Sequence, residues 1–328
     1  MRWLALPGFL ALAACSEDAP VRPLPPPVLV AEAPDRITSF AVDDDHVYWG
    51  DGATGGEVSA TARLVRAPRT GGAPEVLAEQ QPIVQELLSG ERTLYWAVGG
   101  GLPSAMQVRT MDKTTGTVVT IPAFSLHLEI VDEYQGKALV IGDVPETGEE
   151  ARQLWRVDPT GATPPEPTVT FPEAVHTYAG AGRTGTTLWV AHSEDGCSEL
   201  RVYGVRLESN DTTPAYRRDL GGTVAFAIAD NELYWIGHRF EDRFDLNDER
   251  GVLATFDRGV SGLLVDGEYL WLGTDGSTEA RARYVRVTRA TGAVERFETT
   301  GSSFLAQVVR PEGLYVVAEN RIYLQPRP

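Results

Sequence analysis

The chain has 328 residues, 42% of them hydrophobic, with 46 acidic side chains against 29 Lys and Arg and a formal net charge of −17. The hydrophobic content is ordinary for a globular protein with a sizeable core. The acidity disfavours nucleic acid and anionic lipid as partners, because both need clustered basic residues; it also serves solubility and by itself names no ligand.

Arg2 is followed by an apolar run from Trp3 to Ala14 and then by Cys15. The run is too short to span a bilayer as an ordinary helix and has the size of the hydrophobic part of a secretory signal. Leu12-Ala13-Ala14-Cys15 resembles the lipobox of bacterial lipoproteins. That resemblance implies removal of residues 1–14, lipid on the Cys15 sulfur and acylation of the new amino terminus, and several acyl chains anchor stably where one binds only marginally. Ser16 follows, with no Asp at that position, which by the same analogy points to the outer rather than the inner membrane of a cell envelope. The plainer alternative is a secretory signal that happens to carry a Cys. Cys197 is the only other cysteine. With Cys15 lipidated it has no intramolecular partner, and a quiet, partly buried thiol is expected.

Residues 16–27 contain five prolines in twelve positions. Such a segment favours an extended polyproline spacer, long enough at about 3.1 Å per residue to hold a domain roughly 35 Å from the lipid. The anchor and linker thus take residues 15–27, and the folded domain 28–328.

From there one short phrase recurs seven times: Val47-Tyr48-Trp49, Leu94-Tyr95-Trp96, Ala138-Leu139-Val140, Leu188-Trp189-Val190, Leu233-Tyr234-Trp235, Leu270-Trp271-Leu272 and Leu314-Tyr315-Val316. A period near forty-five with one strand-like core per repeat predicts an all-β ring of sheets, a β-propeller. Each repeat reads as four strands, and the phrase is the second. The first strand is apolar on both faces, as in Val224 to Ala229, which suits a sheet packed between two neighbours. Tight turns such as Asp43-Asp44-Asp45 and Asp266-Gly267-Glu268 follow it. The third strand carries a repeated arginine, Arg66, Arg109, Arg156 or Arg286, expected in structural ion pairs, and ends in Gly-containing turns such as Arg69-Thr70-Gly71. The fifth repeat is the short one. The charged stretch from Arg239 to Arg250 must hold a loop and a strand, so seven four-stranded blades compete with six plus an irregular unit. The seventh repeat lacks its fourth strand, while Val28-Leu29-Val30-Ala31 lies orphaned at the start of the domain and resembles the fourth strand of the first repeat. The N-terminal strand is therefore expected to close the ring, which leaves no free ring end.

Tyr48-Trp49-Gly50-Asp51 resembles the signature of YWTD-type propellers, a family that usually has six blades, and no Trp-Asp dipeptide of the WD40 kind occurs. The resemblance implies a fold and leaves the function to the loops.

Turns after the first and third strands share one end of the ring and read as short. Connections after the second and fourth share the other end and read as longer, with stretches such as Gly50 to Ala62, Gly142 to Ala151 and Gly237 to Glu249, and long loops on a rigid scaffold are where ligands usually bind. The second strands deliver Asp51, Asp143, His192, His238, Asp275 and Glu319 to that end. Four carboxylates and two imidazoles around a channel suit a divalent cation such as calcium or a cationic ligand; alternatively, strand ends are polar because they meet water. Asp245-Leu246-Asn247-Asp248-Glu249 superficially resembles a calcium loop, but its glycine and its final Glu are misplaced, so a solvated charged loop is expected. No Gly-x-Ser-x-Gly, His-Glu-x-x-His or phosphate-cradling glycine loop occurs. The first expectation is a monomeric, non-catalytic binding or scaffolding module for an envelope protein, peptide or glycan, with no cofactor and no catalytic residue assigned. The second is a calcium-dependent hydrolase or lactonase-like propeller.

Overall fold

Every aromatic phrase lies on the second strand of an antiparallel sheet, and there are seven such sheets. A computed structural model describes residues 21–52, 62–99, 106–122, 125, 128–143, 151–174, 177–193, 199–209, 215–221, 223–230, 232–239, 243–256, 260–274, 281–300, 306–318 and 320–328. Blade 1 comprises Ile37–Val42, His46–Asp51, Ala62–Pro68 and Glu75–Gln81. Blade 2 comprises Val84–Ser89, Thr93–Val98, Gln107–Asp112 and Val118–Thr120. Blade 3 comprises Leu128–Tyr134, Lys137–Asp143, Ala151–Val157 and Glu166–Ala174. Blade 4 runs Thr177–Thr184, Thr187–Ser193, Glu199–Arg206 and Ala215–Gly221. Blade 5 runs Thr223–Ala229, Glu232–Arg239, Arg243–Asp248 and Gly251–Phe256. Blade 6 runs Val260–Asp266, Tyr269–Thr274, Arg281–Thr288 and Val294–Thr300. Blade 7 takes Ala306–Arg310, Gly313–Ala318 and Arg321–Pro326 from the C-terminus and Val28–Glu32 from the N-terminus.

The first strand of each blade touches the first strands of both neighbours, and blade 7 touches blade 1, so the ring is closed and these strands line its axis. The phrase explains the packing between blades. Successive side chains of a strand point to opposite faces. Tyr48 therefore packs toward blade 2 with Leu94 and Trp96, while Trp49 packs toward blade 7 with Tyr315 and Val317. The same parity repeats at Tyr234 and Trp235 and at Trp271 and Leu272. One apolar cluster fills each of the seven gaps between blades. Close approach needs missing side chains at particular points. A Cβ on Gly50 would come within 2.5 Å of Val84 Cβ in the next blade, and one on Gly204 within 2.6 Å of the Trp189 indole across the ladder.

The expected closure is present. Val28–Glu32 pairs antiparallel with Arg321–Pro326, with Glu32 opposite Arg321 and joined to it by an ion pair at 2.9 Å. Asn320 Nδ2 donates to the Ala33 carbonyl at 2.7 Å, and Val30, Ala31 and Ala33 sit in the cluster between blades 7 and 1.

Two expectations need correction. The ordered ring begins before residue 28: Val21–Pro23 adds a parallel fifth strand to the outer edge of blade 6, Val21 opposite Arg296. Leu24 then inserts between blades 6 and 7 against Trp271, Tyr284 and Phe297, and Gln325 Nε2 donates to the Pro25 carbonyl at 2.7 Å. An edge position suits proline, which has no N–H for a second ladder. The second half of the proline-rich segment is therefore a strap on the ring, while residues 1–20, including Cys15, lie outside the described residues. The fifth repeat is a complete blade, so the predicted count of seven holds. The second correction is that the Asp245–Glu249 stretch is mostly third strand rather than a solvated loop. Asp248 is 2% exposed, and its carboxylate accepts from the backbone N–H groups of Arg250 at 2.7 Å and Gly251 at 3.0 Å.

Candidate functional site

The two ends of the ring are built differently. At one end the turns between first and second strands contain two or three residues each, and they are cross-linked between blades. Asp43 accepts hydrogen bonds from the backbone N–H groups of Asp45 and His46, from the Tyr48 hydroxyl at 2.8 Å and from Lys113 Nζ of blade 2 at 2.7 Å. Burial alone would raise the Asp43 carboxyl. Lys113, the two N–H groups and Tyr48 outweigh it and hold the group well below the ordinary carboxylate range. The pattern recurs. Tyr315 donates to Glu312, which pairs with Arg69 of blade 1 at 3.2 Å. Tyr234 donates to Glu232, while Arg289 of blade 6 bonds the Tyr234 hydroxyl at 2.9 Å and Asp230 at 2.8 Å. Arg327 reaches Asp266 of blade 6 at 2.7 Å. Arg69, Lys113, Arg289 and Arg327 each follow the last residue of a third strand and reach an acidic turn of the preceding blade. Of the arginines repeated inside third strands, Arg66 pairs with Glu75 at 2.7 Å and Arg286 with Glu295 at 2.6 Å, each with the carboxylate opposite it in the fourth strand. Arg109 donates to Gln81 and Arg156 to the Leu207 carbonyl.

The opposite end carries the connections between second and third strands: 52–61, 99–106, 144–150, 194–198, 240–242, 275–280 and 319–320. The expected difference in loop length holds between these connections and the tight turns in blades 1, 2, 3, 4 and 6; 240–242 and 319–320 are as short as the tight turns, and the difference also fails farther out. Connections 158–165 and 207–214 on the tight-turn end are long, whereas 82–83, 175–176 and 222 on the opposite end are short.

The six residues predicted for this end have different fates. Asp51 is 1% exposed and gripped by Arg63, Nε at 3.0 Å and Nη2 at 2.7 Å, a bidentate pair with the residue opposite it in the third strand. Asp143 lies 3.4 Å from Nε of Arg152, again its cross-strand partner. His192 and His238 lie in second strands, opposite Arg201 and Phe244, with only their backbone described. Asp275 and Glu319, like Cys197, lie outside the described residues. Among the described residues no three His, Cys, Asp or Glu side chains come together in metal-holding geometry.

Two carboxylates that the sequence reading passed over stand closer to the axis. Glu86 lies in the first strand of blade 2 and Glu129 in that of blade 3, both near the strand start and therefore at the mouth of the channel. Burial pushes each up to about 7. For Glu129, Arg152 opposes that rise through a hydrogen bond of 3.3 Å to Oε1, while the charges of Glu86 and Asp143 add to it; Oε2 has no hydrogen-bond partner among the described residues. A bulge at Gln85 resets the ladder just before Glu86, and first strands of blades 1, 4, 5 and 6 carry a bulge at the equivalent place. Bulges re-aim side chains and gather at functional rims. Carboxyls that titrate near neutrality can receive or release a proton, or ionise against an incoming cation. Their sequence signal was a single acidic residue inside each of two inner strands, Val84 to Leu88, where Gln85 is the one other polar residue, and Leu128 to Val131, which is otherwise apolar.

Solved structures share this architecture. A prolyl endopeptidase aligns over 91% of the chain with a TM-score of 0.64 and 12% identity, the chain spanning about half, 48%, of that enzyme. The WD40 propeller domain of Doa1 aligns over 92% of the chain and 97% of its own length, with a TM-score of 0.59 and 11% identity. The chain is a seven-bladed β-propeller. An uncharacterized protein of Listeria monocytogenes aligns over 90% of this propeller and 91% of its own length, with a TM-score of 0.56 and 11% identity. At such identities the likeness is one of fold. No protein-family model and no curated protein matches the sequence.

Proposed function

We propose that this propeller is a lipid-anchored, monomeric binding or scaffolding module of a cell envelope, tethered through Cys15 and offering the second-to-third-strand end of its ring to a protein, peptide or glycan. The observation that carries the reading is the contrast between the two ends. One is closed by tight turns tied blade to blade through Asp43, Asp230, Asp266 and Glu312. The other holds longer second-to-third-strand connections in five of the seven blades, around a mouth that contains Glu86 and Glu129. A rigid support beneath variable loops is the common arrangement for recognition.

Photocrosslinkers placed in living cells at Gln85, exposed at the mouth, and at Asp44, exposed on the tight turns, test the reading. Capture of one defined partner from Gln85 and none from Asp44 is expected; equal capture from both ends counts against it. The anchor is tested separately, by acyl mass on the N-terminal peptide and its loss in Cys15→Ala.

A further inference from the structure

The strap that precedes the closing strand decides where the tether leaves the ring. Val21–Pro23 is hydrogen-bonded along the outer strand of blade 6, Arg22 pairs with Glu295 at 3.2 Å, and Leu24, 8% exposed, is wedged between blades 6 and 7. Only six backbone steps separate Cys15 from Val21, a reach of roughly 20 Å at full extension. A spacer free to residue 27 would reach about twice as far.

The charges nearest the strap balance. Residues 260–328, which supply blade 6 and the C-terminal strands of blade 7, hold eight acidic and eight basic side chains, in a chain whose net charge is −17. Blade 3, from 128 to 174, holds ten acidic side chains and three basic ones. In a ring of seven, blade 3 stands opposite the junction of blades 6 and 7. The tether therefore leaves from a rim whose own charges balance, flanked by blades 1 and 5 with seven acidic and three basic side chains each, and the most acidic blade, blade 3, lies across the ring from it. Next to an anionic bilayer, repulsion acts within about 10 Å at ordinary salt. An arrangement with the 6–7 rim inward keeps blade 3 beyond that distance.

We propose that the rim of blades 6 and 7 faces the lipid surface, so that the ring stands edge-on with its second-to-third-strand end clear of the bilayer and blade 3 pointing away. This rests on the lipid-anchor reading. The test uses the full-length lipidated protein, carrying Cys197→Ser, in vesicles of phosphatidylethanolamine and phosphatidylglycerol that contain a headgroup-labelled quenching lipid. A fluorophore is attached in turn to Ala293→Cys on blade 6 and Thr170→Cys on blade 3, both exposed positions. Several-fold stronger quenching at 293 than at 170 is expected. Equal quenching at both, or stronger quenching at 170, with the acyl mass present on Cys15, overturns the orientation and leaves the anchor standing. Absence of the acyl mass overturns both.

Discussion

Tyr48 does two jobs with one side chain: its ring fills the gap between blades 1 and 2, and its hydroxyl helps to ionise Asp43. Asp43 is in turn the point where blade 2 is tied to blade 1 through Lys113. Because its folded pKa is depressed, its contribution to stability is complete above the unfolded value near 3.8 and fades as pH falls below it. Asp43→Asn should destabilise the protein by about 2 kcal/mol at neutral pH, the scale of a lost charge-assisted hydrogen bond. In urea melts the gap between wild type and variant should be constant above about pH 5 and narrow steadily as pH falls below the unfolded value. Glu86 has the opposite sign. Its folded pKa of about 7 exceeds the unfolded value of 4.5, so ionisation costs stability as pH rises through that interval. Glu86→Gln should match wild type at pH 4 and exceed it at pH 8 by about 2 kcal/mol; a stability difference that does not change with pH would contradict the assignment. At this scale the sequence was only half readable. The paired arginines at 66 and 286 were legible because each faces a Glu across a hairpin. The roles of Lys113 and Arg289 were not, since their partners lie 70 and 59 residues away and become neighbours only when the ring closes.

At the scale of elements, the strap and the closing strand differ in what they hold. Val30 and Ala31 are core residues of the 7–1 gap and complete the ladder of blade 7. Deleting residues 28–31 should leave a protein that aggregates or does not fold, and a monomer with unchanged melting would refute the closure. Leu24 fills only the rim of the 6–7 gap. Leu24→Ala should lower stability by about 2 kcal/mol, at the small end for buried leucine because the site borders solvent, while the variant remains a cooperative monomer by sedimentation and thermal melting. The closing strand was visible in the sequence because its pattern repeats a strand present elsewhere. The strap was hidden because Pro-Leu-Pro-Pro-Pro reads as a solvated linker, and nothing local says that Leu24 has a gap to enter. Blade 5 was obscured for a related reason: its hairpins are so short that charged strand residues such as Asp248 resemble loop.

Over the whole molecule, the seven apolar clusters make the ring a set of equivalent joints, and it is that equivalence which the recurring phrase reports. The phrase is read easily because each blade must bury both faces of its second strand against two neighbours. The candidate site is read poorly because a channel mouth is assembled from single residues on separate blades. Glu86 and Glu129 belong to different repeats 43 positions apart, and neither lies in the phrase that marks the repeats. Of the six polar residues picked from second-strand ends, cross-strand arginines at 63 and 152 have claimed Asp51 and Asp143.

The strap also has a mechanical consequence. Any load arriving from the N-terminal side enters through Val21–Pro23 before it reaches the strand that closes the ring. Three residues of parallel pairing, one exposed ion pair and one wedged leucine must yield first. They behave as a fuse in series with the closure. In single-molecule stretching between residues 20 and 328, the first event should be a weak one that releases about 25 Å of chain, the length of residues 21–27. Rupture of the whole domain should follow at distinctly higher force.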